Sequence, residues 1–311
     1  MKNILSVNFA VKRTYISVLQ PSPKGLILKY INSTNQPVSL LGSDPITEQP
    51  GAVELRNMLS KIEYEIGRVS VSLDSELVFF TQIPGKEEMN ISDLKQLVQL
   101  EIRTAIPESG PDDFVSALIP MKSAKNTLQS MTALIFSCEL LQSCKELFAV
   151  LNKPIQFTEA AHFAAHNAFL YNYPDQSGKT VALINIQEHI IELSAIHKGQ
   201  PAYYNQLAYD DKAKITDLCI SEFKKIQNEY ADKIDSAYFF GGELNIDILA
   251  NVQSVAEDTG LQIHVGRLNA FRMIRGIEDQ RIKEYCIRTA HLYPACIGGN
   301  IPSYHKIIEL S

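Results

Sequence analysis

Glycine, paired cysteines, long apolar runs and an excess of basic charge are all scarce or lacking in this 311-residue sequence. Its 15 glycines are about 5% of the chain, against about 7% in average proteins, which disfavours several glycine-rich phosphate loops. The 29 basic and 35 acidic residues give a formal net charge of −6, whereas nucleic-acid-binding chains usually carry a basic excess. We therefore expect no nucleic-acid partner.

The cysteine pattern and the apolar runs bear on where the chain works. Its five cysteines are scattered and form no C-x-x-C pair, which favours a reduced, cytoplasmic protein. No apolar run approaches the roughly 20 residues that a transmembrane helix needs. The first seven residues resemble a signal peptide, but Asn8 and Lys12-Arg13 interrupt them and no small-residue cleavage site follows. We interpret this segment as the first β-strand.

Two stretches of the chain repeat the same order of strand-like runs. In residues 4–31, two such runs flank a polar break, and a third follows a Lys-Gly turn. Residues 181–207 show the same order, and 177 positions separate Asn8 from its counterpart Asn185. Since helical and strand-like patterns follow each stretch, the sequence predicts two similar α/β lobes with a cleft between them.

Four longer segments carry a resemblance to a known family. They are VSVSLDSELVFFTQIP (69–84), ISDLKQLVQLEIRTAIP (91–107), TALIFSCELLQSCKELFAVLNKPIQFTEAAHFA (132–164) and AYFFGGELNIDILANVQSVAEDTGLQIHV (237–265). They are similar to segments of the type IV pilus assembly proteins of the PilM family, relatives of FtsA in the actin-like ATPase superfamily. The resemblance implies an actin-like (ribonuclease-H-type) two-lobe α/β fold with a small α+β subdomain inserted in the first lobe.

The same resemblance predicts how the chain divides. Residues 1–84 would begin the first lobe, and residues 85–155 would form the inserted subdomain. Residues 156–178 would be the return helix and linker. Residues 179–311 would form the second lobe, with a remnant of an adenosine-binding motif.

The first hairpin of each predicted lobe departs from the pattern of the active superfamily members. There the turn carries Asp-x-Gly, whose Asp helps to position magnesium and whose Gly lets the backbone approach the phosphates. The matching positions here read Asn8-Phe9-Ala10 and Asn185-Ile186-Gln187. A neutral amide lacks the charge that favours a divalent ion, and a β-carbon obstructs a close backbone approach.

We therefore predict a vestigial nucleotide cleft in a non-catalytic protein without a metal or cofactor, so that Mg-ATP is disfavoured. The positions assigned to this cleft are Asn8, Ala10, Lys12, Arg13, Asn185, Gln187, Glu188, Gly241 and Gly242. An ordinary strand-to-helix turn explains the two glycines equally well, and a solvated turn explains the two basic residues.

One histidine pair could suggest a metal site. His162 and His166 lie four residues apart on a predicted helix, a spacing that can serve a metal ion. No third ligand is identifiable in the sequence. We interpret both as ordinary helix histidines.

The resemblance implies a partner instead of a substrate. Members of the family are cytoplasmic, peripheral to the inner membrane, and hold the short cytoplasmic N-terminus of a single-span, PilN-like protein in a groove between the first lobe and the insert. Such a groove binds an extended peptide. Its candidate residues are Phe79, Phe80, Leu97, Leu100, Glu101 and Ile106, for which plain core packing is the alternative. Self-association is possible, and no direct membrane insertion is expected.

Other functions stay open on the sequence. A working actin-like ATPase or small-molecule kinase would need a carboxylate facing phosphate, which the matched hairpin positions do not offer. The binding role could also belong to a type II secretion component of the GspL type or to a divergent cell-division adaptor. The former carries its own transmembrane segment and the latter usually ends in an amphipathic membrane helix, for which the tail 303–310 is too short.

Overall fold

The structure, a computed structural model, describes residues 2–41, 45–85, 89–122, 128–229 and 233–310. The first part of the chain contains β1 (Asn3–Phe9), β2 (Thr14–Ser22), β3 (Gly25–Ser33), α1 (Pro50–Ser60), β4 (Ile66–Leu73), β5 (Phe79–Pro84), α2 (Ile91–Ala105), β6 (Phe114–Lys122), β7 (Leu128–Ser137), α3 (Cys138–Phe148), β8 (Ile155–Ala160) and α4 (Ala161–Asn172). The second part contains β9 (Thr180–Ile186), β10 (Ile190–His197), β11 (Gln200–Ala208), α5 (Ile215–Glu229), β12 (Ser236–Phe240), α6 (Ile246–Asp258), β13 (His264–Arg267), α7 (Gln280–Thr289), α8 (Pro294–Gly298) and β14 (Ile308–Glu309).

The two lobes are built on sheets of the same design. The first sheet has the order β3-β2-β1-β4-β8 and the second has the order β11-β10-β9-β12-β13. In each, the opening strand lies at the centre, antiparallel to the second strand and parallel to a later one. Strands covered on both faces read as nearly continuous apolar runs, which is why β1 and β9 are so apolar. Both predicted meanders are present.

Helices cover each sheet and close its core. In the first lobe, Leu55 and Leu59 of α1 and Leu147 of α3 are buried in one cluster with the strands. In the second lobe, Phe223 of α5 and Val252 of α6 do the same. Pro50 opens α1 at the first helical turn, where a missing N–H costs nothing.

The inserted subdomain is a four-stranded sheet, β14-β6-β7-β5, with α2 on one face. Its strands and helix span 79–137 together with β14, so their bounds differ from the predicted 85–155. β5 pairs with β7 in this sheet, whereas α3 packs in the core of the first lobe. Leu310, next to β14, is buried in the insert. The predicted second lobe, 179–311, therefore also supplies a strand to the insert.

Two helices, α4 and α8, pack against each other between the sheets. α4 is buried almost all round, as expected of a helix without a polar face. A β-carbon on Gly298 would lie 1.7 Å from the carbonyl oxygen of Ala164, so the helices meet at backbone contact. Cys296 of α8 packs in a cluster with Leu19 of β2, so this C-terminal helix returns to the first lobe.

Candidate functional site

The hairpins of the two lobes face each other across one cavity. Eight of the nine predicted cleft positions line it, namely Asn8, Ala10, Lys12, Asn185, Gln187, Glu188, Gly241 and Gly242. The ninth, Arg13, belongs to the same turn as Lys12 but does not line the cavity. The cavity volume is about 60 Å³.

The two asparagines that replace the expected aspartates are buried and hydrogen-bonded internally. The amide Nδ2 of Asn8 donates to the carbonyl oxygen of Ser72 at 3.3 Å. The amide Nδ2 of Asn185 donates to Oε2 of Glu192 at 2.7 Å. Each amide thus makes a hydrogen bond within its own lobe.

Gln187 occupies the second position where glycine is expected and joins the two lobes. Its Nε2 donates to Glu192 of its own lobe at 3.2 Å, and its Oε1 accepts a hydrogen bond from Ser75 Oγ of the first lobe at 3.2 Å. The residue is only 6% exposed. The Gln187 side chain therefore spans from the second hairpin to the turn that follows β4 in the first lobe.

Two buried carboxyl groups, Glu192 and Asp74, stand beside this contact and were missed in the sequence. Glu192 on β10 accepts hydrogen bonds from Asn185, Gln187 and the hydroxyl of Tyr204, the last at 2.8 Å. Burial raises the pKa of Glu192 to about 7, although hydrogen bonds from Tyr204 and Asn185 oppose the rise. A charged residue inside an otherwise buried apolar strand was the signal that could have identified it.

Asp74 follows β4 and lines the cavity from the first lobe. Its Oδ2 accepts a hydrogen bond from the backbone N–H of Val11 at 3.3 Å. Burial and the nearby Glu192 raise the pKa of Asp74 to about 8. The two lobes therefore contribute one buried, readily protonated carboxyl group each.

A third carboxylate, Glu243, closes the mouth of the cleft. It forms ion pairs with Lys12 of the first lobe and Lys212 of the second, and its side chain is 10% exposed. The hydrogen bonds from these two lysines lower the pKa of Glu243. Glu243 therefore neutralises the Lys12 and Lys212 side chains, which would otherwise be available to bind an anion.

The two glycines of the turn after β12, Gly241 and Gly242, have different structural roles. Gly241 has φ +109°, and a β-carbon there would lie 2.4 Å from both Asn185 Oδ1 and the Ile186 carbonyl oxygen. Gly242 has open space around it. Only Gly241 is required by the local backbone, because it passes directly over the second hairpin.

The histidine pair lies in the core between the lobes. The Nε2 atoms of His162 and His166 lie 2.8 and 2.7 Å from the Ser194 hydroxyl, and burial lowers the pKa of His162 to about 3. In the described part of the chain, no group of three or more His, Cys, Asp or Glu side chains could hold a metal ion. The pair is a neutral, buried hydrogen-bonding unit.

The six predicted partner-binding residues do not share one surface. Successive strand residues point to opposite faces. Phe79 accordingly packs with the α2 side of the insert, whereas Phe80 lies against Tyr204 of the second lobe, with ring centroids 5.2 Å apart. Phe79 and Phe80 therefore cannot line the same groove.

The four predicted positions after β5 also differ among themselves. Leu97 packs against the core of the insert, while Leu100 on the same helix is 59% exposed. Glu101 accepts a hydrogen bond from Thr81 at 3.2 Å, and Ile106 ends α2 half-buried. Among these four, only Leu100 offers a large apolar contact to solvent.

A larger groove lies on the first lobe, beside the start of the insert. Its volume is about 560 Å³, and its lining consists of Phe9, Ala10, Val11, Pro37, Val38, Ser39, Leu40, Leu41, Gln49, Pro50, Asp74, Glu76 and Leu77. Within this lining, Leu41 is 47% exposed and Glu76 is also exposed. We call this the first-lobe groove; sequence reasoning missed it because its walls come from loops without a periodic pattern.

Comparisons with known proteins identify the architecture. No family model matches the chain, and no curated protein matches it by sequence. A chain of the PilM-PilN type IV pilus biogenesis complex is 12% identical over 96% of this chain and 99% of its own length, with a TM-score of 0.68. A Bacteroides thetaiotaomicron protein described as having an actin-like ATPase fold is 12% identical over 85% of this chain and 90% of its own, with a TM-score of 0.51.

A third match is the cytoplasmic domain of EpsL, an inner-membrane component of the type II secretion system of Vibrio cholerae. It is 11% identical over 78% of this chain and 84% of its own, and its TM-score of 0.49 is too low to bear on function. The first two matches, together with the two like sheets, confirm the predicted actin-like α/β fold with two lobes. Within the described residues, no helix is both long and apolar enough to cross a membrane.

Proposed function

We propose that this protein is a non-catalytic actin-like adaptor of a pilus- or secretion-type assembly at the inner membrane. In this proposal it stays in the cytoplasm and holds a short cytoplasmic segment of a single-span membrane partner. The observation that carries the proposal is Gln187, whose side chain bridges the lobes where a nucleotide phosphate would need a glycine backbone.

The rest of the cleft supports the same conclusion. Its volume of about 60 Å³ compares with about 300–1,000 Å³ for typical ligand pockets. The amides of Asn8 and Asn185 already donate to protein oxygens, and Glu243 already neutralises Lys12. A nucleotide would have to displace these contacts and separate the lobes before it gained any of its own.

Titration calorimetry with Mg-ATP and an assay of phosphate release test the non-catalytic part of the proposal. We expect no micromolar binding and no metal-dependent phosphate release above background. Micromolar affinity would overturn this part, whatever the protein does with a partner.

The partner-binding part is supported by the fold and by the first-lobe groove. The PilM-PilN structure to which this chain is similar is a complex of two pilus proteins. The first-lobe groove lies where the first lobe leads into the insert, and it presents apolar Leu41 and Leu77 together with acidic Glu76. An extended peptide with apolar side chains and a basic residue or amino terminus fits such a groove.

A peptide-binding assay tests this part. The probe is the cytoplasmic N-terminus of a single-span membrane protein encoded next to this chain, immobilised on a sensor surface. We expect Leu41→Ser combined with Glu76→Lys to reduce its affinity about tenfold or more, a loss of about 1.4 kcal/mol. Leu100→Ser combined with Glu108→Lys changes the same side-chain types on the insert and should have no effect. The reverse pattern would place the peptide on α2.

A working ATPase or kinase is the second candidate, because Asp74 and Glu192 supply carboxyl groups near the hairpins after all. Either could act as a general base when ionised. Metal-dependent phosphate release that Asp74→Asn abolishes would favour this candidate over the adaptor.

A further inference from the structure

Residues 264–291 carry an excess of basic charge in an otherwise acidic chain. This stretch contains six of the 29 Lys and Arg residues but only three of the 35 Asp and Glu residues. All six basic side chains belong to exposed residues, namely Arg267, Arg272, Arg275, Arg281, Lys283 and Arg288. We call these residues and their exposed neighbours, which include the acidic Glu278, Asp279 and Glu284, the basic face.

One packed region at the end of the second lobe carries the residues of the basic face. Phe271 and Ile274 from the loop before α7 and Cys286 from α7 are buried in the same cluster. Arg267 Nη2 also donates to the carbonyl oxygen of Ile287 at 3.1 Å, which joins β13 to α7. These contacts anchor the loop before α7, β13 and α7 to one another, and the exposed residues are carried on this anchored region.

Large aliphatic side chains are exposed among the basic residues. Met273 is 49% exposed, Ile282 is 40% exposed and Ile287 is 55% exposed. A nucleic-acid backbone offers phosphates but no apolar layer in which to bury such side chains. The interface of an anionic bilayer offers both negative headgroups and the acyl boundary.

Three of the six basic side chains make contacts within the chain, one of them being the Arg267 hydrogen bond to Ile287. Arg272 pairs with Asp175 and stacks on Tyr173, and Arg275 donates to the backbone carbonyl of Lys24. This last contact brings exposed Lys24 of the first lobe beside the basic face. The positive surface thus extends across the junction of the two lobes.

We propose that the basic face binds directly to the anionic phospholipid headgroups of a membrane. The contact is independent of the membrane partner proposed above. It adds a second, weaker attachment, and stable anchoring at a membrane generally takes two signals.

Co-sedimentation with lipid vesicles, using the purified full chain without any partner, tests the proposal. The probes are vesicles containing phosphatidylglycerol and phosphatidylcholine, and vesicles of phosphatidylcholine alone. We expect binding only to the anionic vesicles, and loss of most of that binding when NaCl is raised from 0.1 to 0.5 M, because salt screens exposed charges.

Matched variants separate this face from net charge. Arg281→Gln with Arg288→Gln should weaken vesicle binding about 25-fold, since each basic residue near such a surface contributes roughly fivefold. Lys145→Gln with Lys224→Gln removes the same charge from exposed positions on α3 and α5, and should leave binding nearly unchanged. Ile287→Ser should weaken binding even at 0.5 M NaCl, whereas Ile246→Ser, at an aliphatic residue that is 79% exposed elsewhere, should not.

Three results would overturn the proposal. They are equal binding to both vesicle types, equal losses in the two double variants, and binding of a 20-base-pair DNA duplex at lower protein concentration than anionic vesicles. Because no partner peptide is present, none of these results bears on the first-lobe groove.

Discussion

At the scale of single residues, the cleft shows how amide side chains make contacts within and between the lobes. Asparagine keeps the shape of aspartate but donates hydrogen bonds, and Asn185 uses that capacity on Glu192. Gln187 adds a side chain long enough to reach the other lobe. Glu192 and Asp74 then lie in a dry environment that favours their neutral forms.

The raised pKa values of Asp74 and Glu192 predict that the protein loses stability as the pH rises. Both groups bind a proton more tightly in the folded chain than in the unfolded chain, where a carboxyl group titrates near pH 4. Their stabilising contribution is therefore complete below about pH 4 and is lost progressively up to about pH 8. The buried histidines act in the opposite direction below about pH 6.5, because burial lowers the pKa of His162 and His166. Thermal unfolding followed by circular dichroism should therefore show a lower Tm at pH 8 than at pH 7.

The substitution Asp74→Asn isolates one of these groups. It keeps an oxygen to accept the Val11 hydrogen bond but cannot ionise, so it should raise the Tm at pH 8 by at least about 2 °C, the effect of about 1 kcal/mol in a chain of this size. It should also flatten the pH profile. Asp258→Asn, at an exposed carboxylate, should do neither; identical profiles for the two variants would contradict the assignment.

At the scale of secondary-structure elements, the contact between α4 and α8 decides the arrangement of the lobes. α4 follows the last strand of the first sheet, and Ala165 and Phe169 on it pack against the second sheet. α8 comes from the end of the chain and packs against the first sheet. Gly298 allows the close approach of the two helices.

Substitution of Gly298 tests that contact. In Gly298→Ala the new β-carbon would meet the backbone of α4, which cannot rotate away, so we expect a loss of about 3 kcal/mol or more in the free energy of unfolding. Gly242→Ala is the control, because nothing lies within 4 Å of its β-carbon position, and it should stay within about 0.5 kcal/mol of the parent. Urea denaturation measures both; equal midpoints would show that the helices can separate at little cost.

The strands and helices differed in how well the sequence predicted them. Alternating and helical patterns located most strands and helices, since each such element buries a regular stripe. β14 was missed because two residues carry no period, and its pairing with β6 depends on a distant part of the chain. Phe79 and Phe80 were assigned to one groove although adjacent strand residues point to opposite faces, so the strand pattern itself disfavoured that assignment.

Local sequence motifs predicted only part of the candidate site. The two hairpins fixed the positions of Asn8, Asn185 and Gln187, and the structure brings them together. Glu192, Asp74 and Lys212 lie outside those motifs and reach the site only through strand register and packing between lobes. No local pattern in the sequence could specify that convergence.

At the scale of the whole molecule, contacts join the two lobes both at the mouth of the cleft and in the interior. Glu243 pairs with Lys12 at the mouth, Gln187 bonds to Ser75 inside, and Phe80 of the insert packs on Tyr204 of the second lobe. The backbone of Arg275 also pairs with Leu26 and Leu28 of β3. Together these contacts favour one closed arrangement over a hinge.

Solution scattering tests this closed arrangement. A compact chain of 311 residues should have a radius of gyration of about 20 Å. If the cleft admits no nucleotide, as proposed, the value should be the same with and without millimolar Mg-ATP. Compaction on adding Mg-ATP, with inorganic phosphate as the control, would show an open cleft that closes on ligand.

The pairing of β14 with β6 has a consequence for how the chain is made. Ile308 pairs with Leu118, 190 residues earlier, and Leu310 fills part of the insert's core. During synthesis, β5, β6, β7 and α2 emerge long before the strand that completes their sheet, and contacts between such distant segments form slowly. The outer edge of β6 therefore stays open to other chains until residues 308–310 have been added. During that interval we expect the nascent insert to depend on protection from pairing with other chains.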